Sequence, residues 1–238
     1  MWLWALATLV AFYIKGLCGF ANTLVFTSIL SMGTTNINIS PIELAIGYPG
    51  NLIMTWKYRS HLKRKIYLPL IALVLCGSVP GALLLKNVDA KYVTIICGCV
   101  IILVGIEMLL REFQILRTKE SRIVLGIIGL MSGIFCGLFG IGALLAAYVG
   151  RVTENSEDFK ANISMVFIVE NTFRVVLYAV LGIFTISGLQ RALILIPVVL
   201  VGLFAGIMSS KILNEKVVKR IVILLLIASG VMITVKAF

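Results

Sequence analysis

The stretch GLFGIGA, residues 137–143, interrupts a long apolar segment of the chain. A second glycine cluster, GLCGFAN at residues 16–22, interrupts another long apolar segment. Glycine permits backbone turns that other residues resist. In a bilayer, irregular backbone persists only where it is buried in protein or lines a cavity. The two clusters therefore predict two broken or re-entrant membrane helices inside a folded protein.

The overall composition indicates the same class. Hydrophobic residues make up 61% of the 238 residues and charged residues only 13%, and the mean hydropathy is +1.10. Soluble domains carry about 25% charged residues. The formal net charge of +11 comes from basic residues in short loops between apolar runs, as in membrane proteins that set their orientation by loop charge. The chain is thus predicted to lie in a lipid bilayer, and nucleic acid is not expected as a partner.

The apolar pattern predicts an all-α, polytopic membrane protein with eight hydrophobic segments. A helix needs about 20 apolar residues to cross a bilayer, and only the second segment is clearly shorter. The segments are 2–31, 42–57, 66–85, 92–110, 123–150, 161–182, 192–210 and 220–236.

The two halves of the chain match each other, so we predict a duplication with repeats at 1–116 and 117–238. The order of matched residues is kept, and the offset is 121, then 120, then 125 residues. The pairs are Gly16 with Gly137, Gly19 with Gly140, Asn51 with Asn171, Tyr58 with Tyr178, Gly77 with Gly202, and Gly81 with Gly206. Gly77-x-x-x-Gly81 and Gly202-x-x-x-Gly206 are typical of close helix packing.

Loop charges indicate that the two repeats are inverted. If every segment spans, with loop 57–65 inside, 11 basic residues lie inside and eight outside. If each glycine-broken segment enters and leaves on one side, 15 lie inside and four outside, with Lys15 and Arg174 in the membrane. The positive-inside rule favours the second arrangement. Each repeat then crosses an odd number of times, which inverts one copy relative to the other.

Matched breaks in inverted repeats are a sequence indicator of a transporter's binding site. A helix that begins after a break offers free N–H groups and a positive dipole end, which suits an anion. Close packing of small residues is the alternative interpretation of each cluster. The predicted substrate-binding residues at the breaks are Gly19, Phe20, Ala21, Asn22, Thr23, Gly140, Ile141, Gly142 and Ala143.

The sixth segment adds a polar face to this site. Asn171, Arg174 and Tyr178 are spaced i, i+3 and i+7 and therefore share one helical face. An arginine near mid-membrane is costly and usually functional. Arg174 is predicted either to bind the anion or to pair with Glu170, which is also a candidate for ion coupling. Asn51, the match of Asn171, completes the predicted site.

Other ionisable residues have simpler interpretations. Ser40-Pro41-Ile42-Glu43 is typical of a capping box with proline at the first helical position, and His61 lies in a basic, solvated loop. Lys15 either extends toward the membrane surface or adds positive potential beside the first break. The cysteines are predicted to be small buried hydrophobes rather than metal ligands. They are Cys18, Cys76, Cys97, Cys99 and Cys136.

GIFCGLFGIG at 133–142, followed by Asn171-x-x-Arg174-x-x-x-Tyr178, resembles the sulfite exporter family TauE/SafE. The likeness, carried also by the duplicated four-segment halves, covers nearly the whole chain. It implies transport of small anions, typically sulfur-containing, across the bacterial cytoplasmic membrane. Family members commonly carry further glycines or a proline after each break, where this chain has FAN at 20–22 and GAL at 142–144.

The sequence therefore predicts a secondary carrier of a small anion, such as sulfite, thiosulfate or an organosulfonate, working by alternating access as one half rocks against the other. It has no phosphate-binding loop motif of the Gly-x-x-x-x-Gly-Lys type, and we expect neither enzyme activity nor a cofactor. The partners are the anion and the lipid bilayer. The oligomeric state stays open, a homodimer being one alternative. An anion channel and a sulfur-relay protein using Cys18 and Cys136 are the alternative functions.

Overall fold

The computed structural model describes residues 1–30, 36–87, 122–139, 142–153 and 155–236, with a few positions between 95 and 110. Over these residues the chain is helical, which confirms the all-α prediction, while most of the predicted segment 92–110 lies outside them. The helices are α1 (Trp2–Cys18), α2 (Asn22–Leu30), α3 (Asn36–Lys57), α4 (Arg64–Asn87), α5 (Arg122–Phe139), α6 (Ala143–Val152), α7 (Ser156–Val180), α8 (Ile186–Ser209) and α9 (Glu215–Lys236), with a 3-10 turn at Arg59–His61.

Both glycine clusters break a helix, as the sequence predicts. Between α1 and α2 the chain turns through Gly19 at φ +88° and Ala21 at φ +70°, a left-handed conformation that is uncommon outside glycine. The ring centroids of Trp4 and Phe26 lie 5.9 Å apart. A helix continuing in one direction would carry Phe26 about 30 Å beyond Trp4. Helix α2 therefore folds back along α1 as a hairpin.

Helices α1 and α8 pack backbone to backbone through glycine. A Cβ at Gly202 would lie 2.7 Å from the Leu9 carbonyl oxygen, and a Cβ at Gly206 would overlap the Tyr13 carbonyl. Residue numbers rise together along the two helices, from the Leu9–Gly202 contact to the contact of Gly16 with Gly206. The two helices are thus parallel and too close to admit a side chain at these positions.

Helices α4 and α5 pack in the same manner. A Cβ at Gly77 would overlap the Leu130 carbonyl, and one at Gly81 would overlap the Ile134 carbonyl. This pair is also parallel, because the contact of Gly133 with Val74 and Gly77 follows the same rising order. Both predicted small-residue faces therefore pack helices, and each joins a helix of the first half to a helix of the second.

Helices α3 and α7 face each other at the centre and run antiparallel. The hydroxyl groups of Ser40 and Tyr178 share a hydrogen bond of 3.0 Å, and those of Tyr48 and Thr172 share another of 3.0 Å. As the residue number rises along α3, the number of its partner falls along α7. Helix α3 also packs against α8 and α7 against α4, so these two helices join the flanking pairs α1–α8 and α4–α5.

The outer surface of the bundle is apolar. Val201, Phe204 and Met208 on α8 are 62%, 50% and 69% exposed, and apolar patches of this size mark lipid or partner contacts. Among the described helices, α4 (over Arg64–Gly81), α7 and α8 have the length and composition needed to cross a membrane, and α1 is a shorter apolar helix. The structure is therefore that of a multi-pass membrane protein.

Two sequence interpretations are wrong. Helix α3 starts at Asn36, so Pro41 and Glu43 lie inside it instead of at its cap; the missing N–H of proline costs the helix one hydrogen bond without ending it. Cys76 and Cys99 are exposed, whereas Cys18 and Cys136 are buried as predicted. Cys97 lies outside the described residues. A thiol on the lipid-facing surface remains a small apolar group, which makes its exposure tolerable in a bilayer.

Candidate functional site

Four ionisable side chains meet in the interior of the bundle. Lys15 of α1, Glu43 of α3, and Glu170 and Arg174 of α7 are each at most 3% exposed. Asn22, the first residue of α2, is buried beside them. We call these five residues the buried polar cluster. It contains residues of both halves of the chain, and it lies next to the first helix break, which Asn22 follows.

The first break supplies hydrogen-bond donors to Glu43. Asn22 accepts a hydrogen bond of 2.9 Å from Lys15 Nζ and donates one of 2.8 Å from its Nδ2 to Glu43 Oε1. Thr23 Oγ1 donates to the same carboxylate oxygen at 2.6 Å. The two residues predicted to bind an anion after the first break are thus brought together, and the group that they bind is a carboxylate of the protein.

Arg174 is surrounded by acceptors. Its Nη2 lies 3.6 Å from Glu43 Oε2, and its Nε lies 3.5 Å from Glu170 Oε1. Nη2 also donates to Asn171 Oδ1 at 3.2 Å, and Nη1 donates to the Cys136 carbonyl at 3.3 Å. The guanidinium therefore pairs with Glu170, as one of the two sequence interpretations holds, and in addition with Glu43.

The cluster keeps unused hydrogen-bonding capacity. Glu43 Oε2, Glu170 Oε1 and Arg174 Nε make ion-pair contacts, but none of the three has a hydrogen-bond partner in the described part of the chain. The formal charges of two cations and two carboxylates cancel. Burying such groups costs several kcal/mol per ion unless the geometry is excellent. Incompletely satisfied ionic groups at this depth indicate a functional site rather than a stabilising one.

The second break approaches the cluster from α5. The Cys136 carbonyl, one turn before the break, accepts the hydrogen bond from Arg174. Gly142, which precedes α6, packs against the Phe167 ring, and Lys15 Nζ lies 5.6 Å from the centroid of that ring. Gly140 and Ile141 lie outside the described residues, and Ala143 begins α6.

Tyr178 and Asn51 lie at the borders of the cluster. The Tyr178 ring centroid is 5.8 Å from the Arg174 guanidinium, and its hydroxyl bonds to Ser40. Asn51 lies two helical turns beyond Glu43 on α3. It is buried, and its Oδ1 has no hydrogen-bond partner among the described residues. Asn51 is therefore buried on the same helix as Glu43, and no hydrogen bond or ion pair among the described contacts joins it to the cluster.

Gly19 and Phe20 face away from the cluster. A Cβ at Gly19 would lie 2.8 Å from Lys160 Cγ, and the Phe20 ring packs edge-on against Phe159 with centroids 5.7 Å apart. These residues form the tip of the first hairpin, next to the start of α7. Their predicted role in binding is unsupported by the contacts that they make.

Sequence reasoning missed Glu43. Its spacing to Gly47 and Asn51, i, i+4 and i+8, was a usable signal because it places all three on one face of α3. Gly47 makes room for the carboxylate, since a Cβ there would lie 3.2 Å from Glu43 Oε1. Lys15, whose role was left open, is buried beside the first break and does not extend toward the membrane surface.

A second polar group lies where α3 turns into α4, at the start of α7. The partly exposed His61 ring has one nitrogen 3.1 Å from Glu157 and the other 3.1 Å from Asp158. Lys63 Nζ lies 2.6 Å from Asp158. Burial and the charge of Glu157 raise the pKa of the adjacent Tyr58. The loop predicted to be solvated is therefore tied to α7.

Broken helices, an apolar outer surface and buried paired charges between two halves define a membrane transport protein. A family model described as Sulfite exporter TauE/SafE matches residues 4–233. The chain belongs to this family of transporters, which confirms the resemblance seen in the sequence. Comparisons with curated proteins and with solved structures give no match.

Proposed function

We propose that the protein is a secondary transporter that moves a small, sulfur-containing anion, such as sulfite, thiosulfate or an organosulfonate, across the bacterial cytoplasmic membrane. The observation that carries the proposal is the buried polar cluster. It joins a side chain at the first helix break, Asn22, to the mid-membrane Arg174, through Glu43. Such a site between two halves matches the place where transporters of this architecture bind their cargo.

The directions of the helices support an inverted duplication. The matched helices α3 and α7 run antiparallel, and the parallel pair α1–α8 is matched by the parallel pair α5–α4. Under the sequence offsets, the Gly202–Leu9 and Gly206–Tyr13 contacts correspond to the Gly77–Leu130 and Gly81–Ile134 contacts. A two-fold axis that turns α3 onto an antiparallel α7 lies in the plane of the membrane. Two such halves present related surfaces to opposite sides, which is what alternating access requires.

The packing supports a proposal for which parts move. Rocking of one half against the other would separate α1 from α8 and α4 from α5. Both contacts are backbone to backbone and cross the halves. We therefore propose that α1 with α8 forms one rigid unit and α4 with α5 the other. The central helices α3 and α7, which carry most of the cluster, lie between these units.

Counterflow in proteoliposomes tests the transporter proposal. Vesicles loaded with unlabelled sulfite should accumulate labelled sulfite transiently above equilibrium, and an organosulfonate should be tested in the same way. A carrier saturates and exchanges in this manner, whereas single-channel currents would establish the anion channel instead. Replacing Cys18 and Cys136 by serine should leave exchange intact; its loss would favour the sulfur relay.

A matched pair of variants tests the site. Arg174→Ala removes the buried cation and should abolish counterflow, because the anion loses its charged donor. Arg191→Ala is the control. This exposed arginine lies near the start of α8, over the Trp4 ring and 5.8 Å from its centroid, and it is not part of the cluster. Both proteins are first checked for insertion and monodispersity. Unaltered exchange by Arg174→Ala would refute the assigned role.

A further inference from the structure

Glu43 contacts the side-chain donors that an anionic substrate would need. Its Oε1 accepts from Asn22 Nδ2 and Thr23 Oγ1, and its Oε2 lies 3.6 Å from Arg174 Nη2. These three side chains are donors to negative oxygen atoms, and they come from both halves of the chain. A carboxylate is itself an anion with two acceptor oxygens. Its position is therefore the position in which the same donors would hold a substrate oxyanion.

We propose that the Glu43 carboxylate is a tethered anion that occupies the substrate position, and that the transported oxyanion must displace it from Asn22, Thr23 and Arg174. This inference rests on the proposed transport function and deepens it. It also restricts the substrate class. An anion that replaces a carboxylate on three donors needs at least two oxygen atoms, as in sulfite, a sulfonate or formate, and chloride fits poorly.

Two atoms of the cluster that lack hydrogen bonds indicate that Glu43 can be displaced. Its Oε2 makes an ion-pair contact without a hydrogen bond, as does the Nε atom of Arg174. The Glu43 side chain therefore leaves part of the hydrogen-bonding capacity of the site unused, although it is only 3% exposed. Gly47 makes room for the carboxylate at its donors, because a Cβ there would lie 3.2 Å from Oε1, tighter than an ordinary contact.

Displacement gives the carrier a means of releasing its cargo. A bound oxyanion would leave the Glu43 charge unpaired and buried, which is costly. The return of the carboxylate to its donors then favours dissociation of the substrate. Glu170 differs in this respect: it contacts Arg174 at a similar distance, 3.5 Å, and no contact joins it to Asn22 or Thr23 among those that the structure shows. The two glutamates thus form a matched pair for testing.

The experiment measures anion affinity and turnover of the full chain. Sulfite, formate and chloride are titrated at one pH and constant ionic strength, with thermal unfolding in detergent as the binding readout. Glu43→Gln, which keeps size but removes the competing charge, should bind sulfite at least tenfold more tightly while exchanging it more slowly in counterflow. Glu170→Gln should show a smaller gain in affinity. Glu43→Ala should be stabilised by formate, which takes the place of the deleted carboxylate.

Unchanged or weaker sulfite affinity in Glu43→Gln, with clear binding by the wild type, would overturn the inference and leave the transport function standing. Equal gains in Glu43→Gln and Glu170→Gln would also overturn it, because only charge would then matter. If no variant and no wild-type protein binds any of the three anions, the proposed function fails as well. Should Glu43→Gln not fold, Glu43→Asp decides: withdrawing the carboxylate by one methylene should raise sulfite affinity, and an unchanged affinity refutes the displacement.

Discussion

Replacing Arg174 by methionine isolates the balance of charge in the buried polar cluster. Methionine keeps a long, flexible side chain of related volume but removes the guanidinium. Glu43 and Glu170, both almost fully buried, then lose the cation that lies 3.6 and 3.5 Å from them. Lys15 remains, but it hydrogen-bonds to Asn22 and to neither carboxylate. The variant therefore leaves uncompensated negative charge in the protein interior.

The expected loss is large. Breaking a buried ion pair by removing one partner costs about 3–5 kcal/mol, because the remaining charge stays desolvated. For a chain of this length, each kcal/mol lowers the melting temperature by about 2–4 °C. Arg174→Met should thus unfold about 6–20 °C below the wild type. This loss of stability comes from the unpaired carboxylates and not from lost packing, because methionine fills a volume related to that of arginine.

Neutralising the remaining buried charges should reverse the loss. Replacing a whole buried ionic group by neutral residues of similar volume is often neutral or stabilising. The quadruple variant with Lys15→Met, Glu43→Gln, Glu170→Gln and Arg174→Met, which removes all four buried charges, should therefore recover most of the stability, although it should not transport. The melting temperatures of all of these proteins are measured in one detergent under the same conditions, with tryptophan fluorescence as the readout of unfolding.

Two results would refute this reasoning. If Arg174→Met melts within about 2 °C of the wild type, the guanidinium does not compensate buried charge, since a loss of 3–5 kcal/mol would be visible. If the quadruple variant is less stable than Arg174→Met, the cluster is held by hydrogen bonds and packing and its charge balance is secondary. Each result is read only for protein that elutes as a monodisperse peak.

Three further predictions concern the scaffold. Gly206→Ala should lower the melting temperature by several degrees, since overpacking costs about 1–3 kcal/mol. Gly126→Ala is the control and should be neutral or slightly stabilising, because nothing lies within 4 Å of the added Cβ. Equal effects of the two substitutions would contradict the packing described. Asp158→Asn should cost about 1–2 kcal/mol, less than Arg174→Met, because Asp158 is buried but its partners Lys63 and His61 are partly exposed to solvent. A loss as large as that of Arg174→Met would show that the charges of this second polar group are buried like those of the cluster. In a cysteine-free background, Ser60→Cys should react with an impermeant maleimide only from the inside and Ser187→Cys only from the outside; labelling of both from one side would exclude the proposed topology.

The helix breaks and the small-residue faces were predictable because their causes are local. A glycine cluster disfavours continuous helix wherever it lies, and a four-residue glycine spacing puts two gaps on one side of a helix. The structure uses Gly19–Ala21 as a turn and Gly202 with Gly206 as a packing face. The pairing of α1 with α8 could not be read from these signals, because they do not name the partner helix.

Glu43 was misassigned because its local signal is ambiguous. Ser-Pro-x-Glu occurs at many helix starts, and the partner that gives Glu43 its role, Arg174, lies 131 positions further along the chain. Charge counting offers a remedy. Two cations at membrane depth, Lys15 and Arg174, require compensation, and Glu170 alone leaves one cation unpaired. Two glutamates lie within apolar segments of the first half, Glu43 and Glu107, so charge counting reduces the candidates to two.

The four charges of the cluster have no counterparts across the proposed duplication. Shifts of 121 and 120 residues place an uncharged residue opposite each of them: Cys136 opposite Lys15, Ile163 opposite Glu43, Gly50 opposite Glu170, and Met54 opposite Arg174. The glycine contacts between helices, by contrast, are repeated in both halves. A carrier needs related surfaces toward both sides of the membrane but only one set of ligands for each anion. Under the proposed alternating access, both access states depend on the symmetric packing, whereas a second cluster would place four more costly buried ions in the same interior.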